Sequence, residues 1–268
     1  MRSSDPAMAE PLRSFGFSYG DAEGLNFADL SREEARRINA DVPFSDAPMV
    51  SASAYRSPLE GTDRDRARSC LAVAAVYEAG ANANDQKPVM QVVLNRVRHP
   101  AFPNSVCEVV FQGAELSSGC QFSFTCDGSM QRKPSDAVLS KAMGLAEWML
   151  VEGVDERVGH ATHYHTDWVV PRWSAKLNKL TKINSHIFFN WTGYWGQQRA
   201  FREAPLANED RVPQLASYSV AHGGDAGLED RPGVPHRLHR QVGDGLGALR
   251  GLVARIDDQM LVTVDQPG

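Results

Sequence analysis

The sequence predicts an α+β fold in which a helix-rich core is closed by a small antiparallel sheet. Three observations carry this expectation. Apolar residues recur at helical spacing through most of residues 66 to 152, the period then changes to two in HATHYHTDWVV, and a second short apolar run, IFFNW, follows as its strand partner.

Each element has its own local reason. Ser31 followed by Glu34 forms a capping box for a short helix through Ile38. Residues 66–79 (RARSCLAVAAVYEA) are apolar nearly all round and stop at Gly80, a natural C-cap residue, so this helix is expected to be buried. The next helix starts near Asp85, tolerates Pro88 in its first turn, and stacks Val89, Val93 and Val97 on one face. Asn104 and Ser105 open a third helix, with Ser105 and Glu108 as a second capping box and Gly113 as its end. A fourth runs from Ser135 to Glu152, carrying Leu139, Ala142, Ala146, Met149 and Leu150 on one side, and Gly153 closes it. A Cys-bracketed loop, CQFSFTCDG, separates the third helix from the fourth. In the strand that follows, His163 and His165 face one way while Thr162 and Tyr164 face the other.

Composition divides the 268 residues into three parts. Residues 1–62 are polar and read as a loosely ordered N-terminal arm. Residues 63–195 hold the dense apolar pattern, all four Cys and most aromatic residues, and form the core domain. Residues 196–268 form a Gly/Pro-rich tail. Near its end Leu249, Leu252, Val253, Ile256 and Met260 follow the spacing of a short helix. With 28 Lys plus Arg against 33 Asp plus Glu, the formal charge of −5 excludes a globally basic nucleic-acid binder. No run of about 18 apolar residues offers a membrane span. The first thirty residues also lack the continuous apolar stretch of a secretory signal, which taken alone points to the cytoplasm. Cys70, Cys107, Cys120 and Cys126 permit three pairings, and their spacing does not separate disulfides from buried thiols or match a structural zinc cluster.

Glu78 is the candidate of first interest, as the one acid in the apolar segment from Cys70 to Ala83. Desolvation and a place in the last helical turn both favour its protonated form, as a general acid requires. The structural alternative is a buried Glu paired with a base such as Arg96. His163 and His165 project to one strand face and are a candidate zinc pair, with His160, His186 or Asp127 as third ligand; the alternative is a polar face without metal. Aromatic and amide residues gathered in CQFSFTCDG and around Trp168, Trp173, Trp191 and Trp195 have the composition of a carbohydrate-binding surface, and equally that of an aromatic core. Arg172, Lys176, Lys179 and Lys182 form a positive segment that either meets an anionic polymer or is simply solvated.

In order and spacing, CLAVAAVYEA, QVVLNRVRHPAFPNSVCEVVFQ, CQFSFTCDG, ATHYHTDWVVPRW and INSHIFF resemble the cell wall hydrolases of the spore-cortex-lytic SleB/CwlJ family, in its Gram-negative form. The resemblance covers roughly residues 69 to 190. It implies a lysozyme-like catalytic domain that cleaves peptidoglycan glycan strands as a hydrolase or lytic transglycosylase, without a cofactor or metal and as a monomer. It assigns the essential glutamate to Glu78 and substrate contacts to Gln121, Phe122, Ser123, Thr125, Asp127, Thr162, His163, Tyr164, His165 and Trp173. It also implies action in the periplasm or cell envelope, where disulfides persist, and so favours pairing of the four Cys, with Cys120 and Cys126 joined to one another or to Cys70 and Cys107. The chain departs from the family beside Glu78: it reads EAGANANDQ where relatives carry EARGE and then GQ, so an Arg is missing and Asn82 stands near the place of a second acid. Two other classes fit the same residues: a peptidoglycan-binding module without catalysis, and a metal-dependent hydrolase centred on His163 and His165.

Overall fold

The computed structural model describes residues 30–116, 120–202, 204–205 and 208–223. Five helices and a three-stranded antiparallel sheet make up its regular structure, so the α+β expectation holds. The apolar C-terminal helix expected near Leu249 lies outside the described residues.

Helix α1 (Arg32–Asp41) begins with the expected capping box: the Glu34 N–H donates to Ser31 Oγ at 3.3 Å, and the Ser31 N–H donates to Glu34 Oε2 at 2.9 Å. Helix α2 (Gly61–Ala79) starts earlier than its apolar pattern because its first turns are charged, with Arg68 and Asp65 paired at 2.7 Å. From Cys70 to Ala75 every side chain is fully buried, as its all-round apolar sequence requires. Helix α3 (Ala83–Val97) is capped by Asn82, whose Oδ1 accepts the Asn84 N–H at 3.0 Å. The residue standing near the family's second acid therefore has a structural role here.

Helix α4 (Val106–Val110) is shorter than the reading that ends it at Gly113, while α5 (Asp136–Val151) is capped by Ser135 as expected. Helices α3, α4 and α5 all pack against α2.

Strand β1 (His163–Thr166) and strand β3 (His186–Asn190) pair antiparallel with Tyr164 opposite Phe188. Strand β2 (Asn178–Ile183) lies on the other side of β3 and was not anticipated, because NKLTKI reads as a basic run rather than a strand. Within it, Lys179 is interior. Its Nζ donates to the carbonyls of Asn39 and Val42, both at 2.6 Å, satisfying acceptors left open at the end of α1. Lys182 pairs with Asp167 at 2.6 Å. Of Arg172, Lys176, Lys179 and Lys182, Lys179 is therefore neither solvated nor free to meet a polymer, and Lys182 has a carboxylate partner.

Both flanks pack more closely than their polar composition suggests. From the N-terminal side Ala35, Ile38, Ala52, Tyr55 and Leu59 are buried, and the Ser57 N–H donates to the Leu150 carbonyl at 2.8 Å. From the C-terminal side Phe201, Val212, Leu215 and His222 are buried. There Glu209 accepts the N–H groups of Val106 and Cys107, both at 2.8 Å, and Arg66 donates to the carbonyls of Glu209 and Ala221 at 3.1 and 3.0 Å. A few buried anchors thus tie the described residues of both flanks to the core, which their average composition does not reveal.

The cysteines form two disulfides. Cys70–Cys107 ties α2 to α4 across 37 residues, and Cys120–Cys126 closes the loop before α5. On the chain-entropy model a loop of that length contributes about 4 kcal/mol. The double substitution Cys70→Ala/Cys107→Ala should therefore lower unfolding stability by about that amount in urea titration, and a loss below about 1 kcal/mol would show that the bridge constrains little.

Candidate active site

Glu78 lies in the last turn of α2, which Gly80 ends at φ 66°, a left-handed conformation favouring glycine. The helix carries Glu78 inward, leaving it 4% exposed. The Tyr164 hydroxyl donates to Glu78 Oε2 at 3.0 Å. Pairing of β1 with β3 fixes Tyr164, itself fully buried, with its ring 5.6 Å from that of Phe188.

Behind this pair, α3 supplies Arg96. Its side chain is fully buried, its Nε donates to the Thr162 carbonyl at 2.6 Å, and its guanidinium lies 5.1 Å from the Phe102 ring and 5.5 Å from that of Phe122. Opposing influences meet at the carboxyl. Burial dominates and favours the neutral acid; the Tyr164 hydrogen bond and the Arg96 charge favour the anion; the Asp127 charge opposes it. The balance places the Glu78 pKa at about 7. Burial thus raises the acid, and the Arg96 charge limits the rise.

Around this centre, Asp127 is exposed at the end of the Cys120–Cys126 loop, where its Oδ1 accepts the Ser129 N–H at 2.7 Å. The loop is braced from within. The Phe122 carbonyl accepts the N–H and hydroxyl of Thr125 at 3.0 and 2.8 Å, and the Ser123 carbonyl accepts the Cys126 and Asp127 N–H groups at 3.0 and 2.9 Å. Of the loop residues assigned to substrate, Asp127 is exposed and Ser123 half-buried, whereas Gln121, Phe122 and Thr125 are buried. Tyr77 stacks on Phe124 with ring centres 4.9 Å apart, and its hydroxyl meets that of Tyr218 at 2.6 Å. Sequence reasoning missed Tyr218 because it lies in the segment read as tail.

His163 and His165 lie on the β1 face opposite Tyr164. The His163 ring is 5.1 Å from Trp191 and 5.3 Å from Trp173, and the His165 ring is 5.0 Å from Phe189. Burial holds both imidazoles neutral, with the His165 pKa lowered to about 4 and that of His163 driven well below its usual value. His163 Nδ1 meets Thr162 Oγ1 at 2.9 Å, and His165 Nδ1 donates to the Thr166 carbonyl at 2.9 Å. Thr162 and Trp173 are buried in the same region. The structure thus places His163, His165 and Trp173 in a packed aromatic layer, and of the strand residues it brings Tyr164 to Glu78.

Two of the candidate third ligands have other neighbours. His160 Nδ1 instead meets the Val50 carbonyl at 3.1 Å, and the His186 ring stands edge-on to Tyr164 at 5.5 Å. Among the described residues, the one group of three potential metal ligands close enough to share an ion is Cys70, Cys107 and His222, whose two sulfurs are joined in a disulfide. Among the described residues, no group of three potential ligands close enough to share an ion includes His163 or His165.

Residues 80–189 match the model of the Cell Wall Hydrolase family, which supports that family for the segment from the C-cap of α2 to the end of β3. The match begins two residues after Glu78, so the placement of Glu78 rests on the geometry above. No curated protein and no solved structure matches the chain.

Two outcomes follow for Glu78. Tyr164→Phe removes a hydrogen bond to the carboxylate and should raise the Glu78 pKa by on the order of one unit, read from the side-chain carboxyl carbon in an NMR titration; a lowered pKa would contradict the arrangement. The folded carboxyl titrates near 7 and the unfolded one near 4.5, so ionisation of the unfolded chain erodes stability as pH rises from 4.5, and the loss is complete above 7. Glu78→Gln should therefore gain about 3 kcal/mol relative to the parent between pH 4 and pH 8, measured by urea denaturation at each pH. A difference that stays flat across that range would mean that the carboxyl is not raised.

Proposed function

We propose, proceeding from the Cell Wall Hydrolase match, that the core cleaves the glycan strand of peptidoglycan between N-acetylmuramic acid and N-acetylglucosamine, with Glu78 as general acid and base. The observation that carries this reading is a buried carboxyl whose pKa is raised to about 7 and which accepts the Tyr164 hydroxyl at the end of α2. Such a group is substantially protonated at neutral pH and becomes a competent base once its proton has left.

In the reaction, Glu78 gives its proton to the glycosidic oxygen as the C–O bond breaks, and the departing sugar leaves as an alcohol. Positive charge builds on the remaining sugar, where the substrate's own acetamido group stabilises it. The Glu78 carboxylate then takes a proton from the C6 hydroxyl, whose oxygen closes a 1,6-anhydro ring, or from a water that adds to the same carbon. Either route returns Glu78 to its starting state. Asp127 is the one other acid whose charge reaches Glu78 among the described residues, and its exposure favours an assisting role over that of a buried nucleophile. The missing family Arg does not leave Glu78 without a cation, because Arg96 reaches it from α3.

The substrate lies outside the cytoplasmic membrane, and the two disulfides are compatible with that oxidising setting, which supports the periplasm or cell envelope as the site of action. No helix among the described residues is long and apolar enough to cross a membrane.

Digestion of purified sacculi tests the proposal. The parent should release soluble muropeptides and Glu78→Gln should release none while remaining folded; undiminished release from the variant would refute the role of Glu78. Binding to sacculi by the parent without any soluble product would instead identify a non-catalytic binding module. The rate should fall about ten-fold per pH unit above about 7, as the acid form of Glu78 is lost. In mass spectra of the products, a muramic acid lighter by one water marks the anhydro route.

A further inference from the structure

Away from Glu78 the molecule carries a cleft of about 380 Å³ whose polar lining includes Arg98, Arg199, Arg202, His160, Gln198 and Ser53. Among the described residues no Asp or Glu lines it. Among the described residues none of its three guanidiniums is paired with a carboxylate, whereas Arg36, Arg37, Arg64, Arg66, Arg68 and Arg157 each are. In a chain of formal charge −5, this is a local concentration of cations facing one concavity.

The cleft is built rather than incidental. Its floor is buried, through Phe201, Asn95, Ala52 and His160. Arg98 is held by donation from Nη1 to the Ser53 carbonyl at 3.1 Å, and Arg199 lies 5.0 Å from the centre of the Tyr194 ring. Three separate stretches meet here: Ser53 from the N-terminal side, Asn95, Arg98 and His160 from the core, and Gln198 to Arg202 from the C-terminal side. Arg199 and Arg202 fall outside residues 80–189, so the family segment alone does not make this site. His160 precedes Tyr164 by four residues, so their Cα atoms are at most about 14 Å apart even if the chain between them is fully extended. That spacing places one lining residue of the cleft on the chain segment that leads into the strand carrying Tyr164.

We infer that this cleft is a second substrate-binding site that takes the free carboxylates of the peptides carried on the glycan strand. Planar guanidiniums recognise carboxylates through paired N–H donors, and several of them presented together in a concave, partly dry setting select an anion over a neutral group. The inference rests on the peptidoglycan reading above and deepens it: the enzyme would distinguish peptide-bearing glycan from bare glycan.

Binding of the full chain carrying Glu78→Gln measures this without turnover. The ligands are peptide-bearing glycan oligomers, the same oligomers with their carboxylates amidated, bare glycan oligomers, and a phosphate-bearing glycan polymer. Amidation should raise Kd about ten-fold, the effect of losing one charge-assisted hydrogen bond, and R199A/R202A should raise it similarly for the free carboxylates while leaving the amidated oligomers unaffected. Arg199 and Arg202 are exposed, so the variant is expected to keep the parent's circular dichroism and thermal transition. Equal affinity for free and amidated oligomers overturns the inference, as does an unchanged Kd in R199A/R202A or a preference for the phosphate-bearing polymer. Those failures leave sacculus cleavage and its loss in Glu78→Gln intact. If Glu78→Gln still cleaves, the Glu78 reading falls while carboxylate-dependent binding remains measurable.

Discussion

The structure depends most on one conflict: a carboxyl is carried into the interior by a helix that is apolar on every side. Helix α2 has no wet face from Cys70 to Ala75, so the domain is built by covering it, with α3, α4 and α5 packed around it. A charge at Glu78, close to the end of that helix, is expensive unless something compensates. Two groups compensate in part. Tyr164 donates a hydrogen bond, and Arg96 supplies a field from a guanidinium itself fastened to the Thr162 carbonyl. Full compensation would make Glu78 an ordinary salt-bridged anion, useless as an acid at neutral pH. Without any, it would remain protonated and could not act as a base. Partial compensation leaves it near neutrality, where one group can do both.

Much of this was legible in the sequence, and where legibility ended has physical causes. Glu78 stood out because an acid in an all-apolar helix is rare enough to need an explanation. The capping box at Ser31, the N-cap at Ser105 and the period change at β1 were visible because they depend on neighbours within a few positions. Strand β2 was hidden because its one deeply buried side chain is Lys179, whose partners at Asn39 and Val42 lie some 140 residues away in sequence. The roles of Tyr218 and Glu209 were hidden for the same reason, since each is isolated in polar sequence and acquires its meaning from a distant helix or loop. Composition averages over such anchors, so it reports how much apolar surface a segment has and not whether a few residues pin it.

The cysteines extend that point. Spacing left three pairings open, and the fold resolves them by geometry: α2 and α4 bring Cys70 to Cys107, while the turn at Ser123–Thr125 brings Cys120 to Cys126. The first bridge braces the buried helix that carries Glu78. The second fixes the loop that carries Asp127, the acid whose charge reaches it. Each covalent link thus stabilises one side of the same electrostatic balance.

Strand β1 shows why a motif of alternating histidines is a poor guide to metal when read alone. All four residues from His163 to Thr166 are buried, so neither face of the strand meets solvent. Alternation then separates the two chemical uses of the strand. One face turns Tyr164 to the carboxyl, and the other sinks His163 and His165 among Trp173, Phe189 and Trp191, where desolvation keeps them neutral and their ring nitrogens bond to adjacent Thr residues. An imidazole serves there as a flat, weakly polar ring that fills aromatic space while satisfying a local donor or acceptor. The same packing holds the strand at a fixed depth, and that depth brings the Tyr164 hydroxyl to 3.0 Å from Glu78. The histidines therefore bear on the chemistry as the wedge that positions Tyr164.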